Sequence, residues 1–169
     1  MIFETERLSV RQWNKKDLPG LHELYSDTAI MEFIHPALTI DETKKIFQDQ
    51  LAEYKDDNPF GRFLIIDKLS NSFTGIFMLR KPDSLEGVEI GYSFRKQDWG
   101  KGFATEIVKK SITYIFQSDM HNIIYAFTHL QNANSKKVLL KCGFTQRKSV
   151  IENGEKTTVF YLNKNKQPN

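Results

Sequence analysis

The spacing of apolar residues changes period several times along this chain, and each change marks an element. In RLSVRQW, Arg7 to Trp13, Leu8 and Val10 alternate with polar neighbours, the two-residue period of a half-covered strand. KKDLPGLHELYSD then supplies Asp17 as an N-cap and a proline suited to a first helical turn. A second amphipathic helix is predicted from Ile40 to Lys55, with Ile46, Phe47, Leu51 and Tyr54 on one face after the acidic start Asp41–Glu42. Between the two, AIMEFIHPAL is apolar and meets a proline after His35, so it reads as a loop over a pocket.

RFLIID and FTGIFMLR are strands joined by a turn around KLSNS, and GVEIGYSF, Gly87 to Phe94, is a third. In this last strand Val88, Ile90, Tyr92 and Phe94 share one face, and Glu89, Gly91 and Ser93 the other. Strands that follow one another without helices form an antiparallel meander. Gly102 to Gln117 is the clearest helix, with Ala104, Ile107, Val108, Ser111 and Ile115 as its inward stripe. IIYAFTHL is apolar almost throughout, as a strand buried on both faces would be. A short helix from Asn134 to Lys141 ends at Gly143, and FTQRKSVI and TTVFYL form a hairpin around ENGE. The order predicts an α/β (α+β) fold: a mixed central sheet of about seven strands with about four helices on its faces.

Composition narrows the function only by exclusion. At 169 residues, with no internal repeat or linker, the chain suits one domain, 1–169, with 163–169 a frayed tail. A net charge of +3 is too small to point to nucleic acid. One cysteine, Cys142 within VLLKCGF, excludes an intramolecular disulfide and reads as a buried thiol. Charges in MIFETERLSV come too early for a signal peptide, and no apolar run approaches the ~20 residues that span a bilayer. A cytoplasmic protein without a membrane partner is therefore expected. His22, His35, His121 and His129 fall on separate elements, and no metal site is indicated.

The chemistry concentrates where a strand meets the clearest helix, in YSFRKQDWGKGFATE. The first N–H groups of a helix have no intrahelical partners, and the helix dipole adds about half a positive charge there. Glycines let an anion approach such donors without meeting a Cβ. Thr105 stands where a Rossmann fingerprint needs its third glycine, and the Walker Gly-Lys-Ser/Thr ending is absent. By spacing alone the stretch is either a phosphate site or a structural turn.

EIGYSF, WGKGFATE and QNANSKKVLLKCGF together resemble the GCN5-related N-acetyltransferases, the GNAT superfamily. Within it they resemble the Rim-type branch, whose known members acetylate N-termini of ribosomal proteins. ETERLSVRQWNKKDL is similar to that branch's first strand and helix, and the likeness runs from about Phe3 to Leu162. The family's pyrophosphate loop, Q/R-x-x-G-x-G/A, fits in two registers: Gln97, Gly100 and Gly102, or Trp99, Gly102 and Ala104. The second is preferred because GKGFATE then enters the helix at the family's place. In either register the resemblance implies that Trp99, Gly100, Lys101, Gly102, Phe103, Ala104 and Thr105 surround the pyrophosphate of acetyl-coenzyme A. It further implies that the strand edge at Tyr92, Ser93 and Phe94 pairs with the pantetheine arm, which Asn132 also contacts. Lys136 and Lys137 are candidates for the 3′-phosphate, or simply for a solvated helix face.

The resemblance implies acetyl transfer to an amine, which requires an uncharged nitrogen, an oriented thioester and a proton for the departing thiolate. An α-amine, with a pKa of about 7.7–8.0, loses its proton near neutrality for under roughly 1 kcal/mol; a lysine, at about 10.4, costs roughly 4 kcal/mol. A modest carboxylate therefore suits an α-amine. By resemblance Glu89 takes the place of the family's general base and Ser135, in N-x-x-S, lies near the coenzyme sulfur. Each has a structural alternative, Glu89 as a solvent-facing strand residue and Ser135 as a helix cap. Many relatives carry a general-acid tyrosine four residues before the final Gly-Phe; here that position is Leu139. The implied function is direct transfer from acetyl-coenzyme A to a peptide N-terminus or a small amine, by a monomer or homodimer. A non-catalytic coenzyme-binding module of the same fold is the other class of answer.

Overall fold

The computed structural model describes residues 1–54, 58–83, 85–152 and 155–166. Phe3–Glu4 (β1) and Leu8–Arg11 (β2) lead into the helices Leu18–Ser26 (α1), Thr28–Met31 (α2) and Ile40–Glu53 (α3). Gly61–Asp67 (β3), Ser72–Arg80 (β4) and Val88–Phe94 (β5) follow, then Phe103–Gln117 (α4), Ile123–His129 (β6) and Ala133–Lys141 (α5). Thr145–Gln146 (β7), Val150–Glu152 (β8) and Glu155–Asn163 (β9) complete the described strands. The predicted α/β class and the order of elements hold. The sheet has nine strands rather than seven because very short pieces, β1 and β7, also pair. The extra helix, α2, lies in AIMEFIHPAL, where a loop was expected. The Asp27 carboxylate there accepts from the N–H groups of Ala29 and Ile30 at 2.9 and 3.3 Å, which starts one turn before Pro36. The predicted ENGE turn falls partly outside the described residues, as do Lys55, the predicted end of the second helix, and the last residues of the tail; α3 ends at Glu53.

Strand alternation sorts the core into two layers. On one face Val10, Phe63, Ile65, Phe77, Leu79, Val88 and Ile90 pack against Phe103, Ile107, Val108 and Ile115 of α4 and Leu139 of α5. On the other, Leu64, Ile66 and Ile76 meet Trp13, Leu21, Leu24, Tyr25, Met31 and Phe47 from the α1–α3 side. Each helix buries one stripe, as the 3.6-residue period requires. Thr39 and Glu42 form a reciprocal capping box that fixes the start of α3. Asp17 does not cap α1 with its side chain; it binds Arg11 through a two-pronged pair at 2.8 Å and accepts from the N–H of Asn14. None of the described helices is long and apolar enough to cross a membrane.

The register of the sheet determines where a ligand can enter. β1 to β5 form an antiparallel run, and β6 pairs with β9 along its whole length, Ile123↔Asn163 to His129↔Thr157. Among the described residues the two halves of the sheet pair only through parallel β5 and β6, in register at Val88↔Ile124 and Glu89↔Tyr125. Beyond Glu89 the strands part, although β5 stays paired with β4 as far as Gly75↔Phe94. The sheet is therefore split, with Glu89 at the vertex.

Because so little main chain joins the halves, side-chain packing must hold the second one. Phe160 on β9 is fully buried in the shared core and faces Ala126 of β6. Phe160→Ala is expected to cost about 3–5 kcal/mol in urea unfolding with an unchanged slope. A loss below about 1 kcal/mol contradicts a core shared by the two halves.

Candidate active site at the split

The end of β5 and the start of α4 are held in place by side chains that leave the main-chain N–H groups from Gly100 onward free. The Trp99 indole N–H donates to the Phe94 carbonyl at 2.8 Å, tying the loop to the strand end while the ring stays half exposed. Asp98 is buried and holds both Arg95, at 3.3 Å, and Lys101, at 2.8 Å. Arg7, from the far edge of the sheet, donates to the Lys101 carbonyl at 3.0 Å and pairs with Glu106 at 2.6 Å. Burial opposes the Glu106 charge, but hydrogen bonds from Thr5 and Arg7 outweigh it and hold the carboxyl below its usual range. Asp98, Arg7 and Glu106 escaped the sequence analysis, since residues 99 positions apart, such as Arg7 and Glu106, share no local pattern.

Gly100 and Gly102 have φ of 73° and 81°, the left-handed region that side chains disfavour. A Cβ on Gly100 would meet nothing within 4 Å, so the loop there faces open space. Gly102 is the N-cap of α4, and the first helical bond is Glu106 N–H to Gly102 carbonyl at 3.1 Å. Among the described residues no hydrogen bond engages the main-chain N–H groups from Gly100 to Thr105. These consecutive donors at a helix N-terminus form an anion cradle.

The cradle lies beside the open side of the split, where β5 contributes Tyr92, Ser93 and Phe94. The Tyr92 hydroxyl lies 3.2 Å from Ser135 Oγ on α5, which brings two sequence candidates together. Burial pushes the Tyr92 phenol up to about 12, despite the bond with Ser135, so Tyr92 keeps its proton near neutrality, and either hydroxyl of the pair can donate to the other. Asn132 is the N-cap of α5: its side chain accepts from the Ser135 N–H at 3.0 Å. Capping thus falls to Asn132, which leaves the Ser135 hydroxyl for other work. Leu139 is buried in the core and offers no proton. Lys136 donates to the Leu130 carbonyl at 2.6 Å, and Lys137 is exposed.

At the vertex, Glu89 is 5% exposed and accepts from Arg80 Nε at 2.7 Å. It lines a cavity of about 630 Å³ with Arg80, Tyr125, Phe127 and Arg147. Phe33, just after α2, stacks on His129 at the end of β6 with centroids 5.2 Å apart, so the segment between α1 and α3 reaches the open end of the split. His35 is bonded to the Pro36 carbonyl and His22 to Thr43, and the described residues hold no His/Cys/Asp/Glu group suited to a metal.

Known proteins share this fold. Residues 7–145 match the family model described as an acetyltransferase (GNAT) domain. The chain is 30% identical to an uncharacterized N-acetyltransferase, p20, of Bacillus licheniformis, over 90% of this chain and 86% of that protein. A GNAT-family acetyltransferase from Bacillus anthracis superimposes with a TM-score of 0.82 at 22% identity, over 96% of this chain and 98% of that one. Spermidine N-acetyltransferase from Vibrio cholerae, solved with CoA and spermine, does so with 0.78 at 22% identity, over 95% and 97%.

Alanine at both Gly100 and Gly102 is expected to cost about 1–2 kcal/mol per position through left-handed strain. Thermal unfolding reads this as a lowered midpoint, and an unchanged midpoint contradicts a left-handed main chain at these two positions.

Proposed function

We propose, from the premise that this chain belongs to the acetyltransferase (GNAT) family and is an N-acetyltransferase, that it moves the acetyl group of acetyl-coenzyme A directly to an amine in a ternary complex. The observation that carries this is the run of unpartnered N–H groups from Gly100 to Thr105, opening beside a split that ends at a buried carboxylate. A pyrophosphate fits the cradle, and the unpaired edge of β5 at Tyr92, Ser93 and Phe94 suits the amide-bearing pantetheine arm as a further strand would. This directs the thioester toward the vertex, and the CoA bound in the Vibrio cholerae relative supports the same occupant here.

The reaction needs three services from the chain. Glu89 receives the proton of the incoming amine, directly or through one water, while Arg80 holds the carboxylate still. Main-chain N–H groups on the free edge of β5 orient the thioester carbonyl and stabilise the oxyanion that forms as nitrogen attacks. The carbon–sulfur bond then breaks, and Ser135, aligned by the Tyr92 hydroxyl, donates a hydrogen bond to the departing thiolate. The Rim-type resemblance favours an α-amine, whose deprotonation asks least of a single carboxylate.

Thiol release from acetyl-coenzyme A over an amine panel tests these roles. Glu89→Gln should lower kcat by about 10²-fold or more and leave coenzyme affinity within about twofold. Turnover at pH 7 equal to the parent enzyme removes Glu89 from the mechanism. Ser135→Ala is expected to reduce kcat about tenfold without loss of stability, since Asn132 carries the cap; full activity leaves Ser135 without a chemical role.

A further inference from the structure

The cavity beneath Glu89 has a charge pattern that the proposed transfer does not require. Its described lining contains one acid, Glu89, and three cations, Arg80, Arg147 and Lys148. Arg80 is engaged with Glu89. Arg147 and Lys148 have no ion pair among the described residues, and both are exposed on the segment between β7 and β8. The Arg147 guanidinium lies over the Tyr161 ring at 4.2 Å, a cation–π contact that restrains it at the cavity. Apart from Tyr125, the rest of the lining is apolar, with Leu85, Phe127, Val150, Ile151 and Val159 prominent in it. Val150 and Ile151 are 44% and 79% exposed, a large apolar exposure for residues at a cavity rim.

A base, a cation pair and an apolar wall together select more than an amine. A polycation would meet Arg147 and Lys148 with like charge, at a cost to both encounter and binding. An acceptor carrying a carboxylate on the same skeleton would gain a planar two-pronged partner in Arg147. The cavity, at about 630 Å³, is in the range of small-molecule sites. We propose that the acceptor is an amine bearing a carboxylate and an apolar side chain, the chemistry of an α-amino acid or of an acidic peptide N-terminus. Its amine faces Glu89, its carboxylate is held by Arg147 and Lys148, and its apolar part lies on Phe127, Val150 and Val159. This deepens the acetyl-transfer proposal and rests on it for the role of Glu89, but the cation pair is testable without turnover.

The test is equilibrium binding to the full chain, with and without saturating coenzyme A. The ligands are N-acetylphenylalanine, its uncharged amide, N1-acetylspermidine and a short acidic N-acetyl peptide. The acid should bind roughly tenfold more tightly than the amide, and the polyamine product more weakly than both. Double substitution R147Q/K148Q should bring acid and amide together, whereas R147K/K148R keeps much of the gap. Either order between amino acid and acidic peptide supports the proposal and tells which source the site prefers. An amide that binds as well as the acid, a polyamine that binds best, or a preference that survives R147Q/K148Q overturns it. Coenzyme uptake is scored separately: its failure removes the acetyl-transfer proposal, while the acid-to-amide ratio without coenzyme still decides on the cation pair.

Discussion

Main-chain groups left without partners are the constraint around which this molecule is arranged. A strand edge and a helix N-terminus each present donors that water or a ligand must satisfy. Here both occur at one place, where β5 leaves β6 after Glu89↔Tyr125 and where α4 begins at Gly102. A folded chain that keeps such groups together must hold them rigidly by other means. Asp98 between Arg95 and Lys101, Trp99 on the Phe94 carbonyl, and Arg7 on Lys101 do so without using the loop's N–H groups.

The two faces of the split then divide the labour. On the α4–α5 face Tyr92 and Ser135 meet, where the proposed function puts the thiol end of a pantetheine arm. On the opposite face, Glu89 and Arg80 open into a cavity that the α1–α3 helices leave uncovered. In the proposed function coenzyme and acceptor approach from different sides, and direct transfer without an acyl-enzyme is the chemistry such a division suits.

Much of this was legible in the chain, for identifiable reasons. Period-two runs such as Val88–Phe94 and the inward stripe Ile107, Val108, Ser111 of α4 are local, and the structure keeps them within a residue or two. The glycines at 100 and 102 were legible because positive φ restricts residue choice so sharply. Glu89 was harder: alternation gave its face but not its burial, which depends on β6 crossing beside it. The capping of α5 was also ambiguous, since Asn132 and Ser135 are both good caps, and only geometry assigns the role to Asn132. The clamp of Thr5, Arg7 and Glu106 and the pairing of Tyr92 with Ser135 join distant segments and left no periodic trace.

The most direct measurement is main-chain amide exchange at Gly100 to Thr105, followed residue by residue in the free protein and at saturating acetyl-coenzyme A. Unpartnered donors should exchange quickly in the free protein and slow by at least about tenfold when a pyrophosphate accepts from them. Amides that are already protected, or that exchange at the same rate once acetyl-coenzyme A is added, would contradict the central claim.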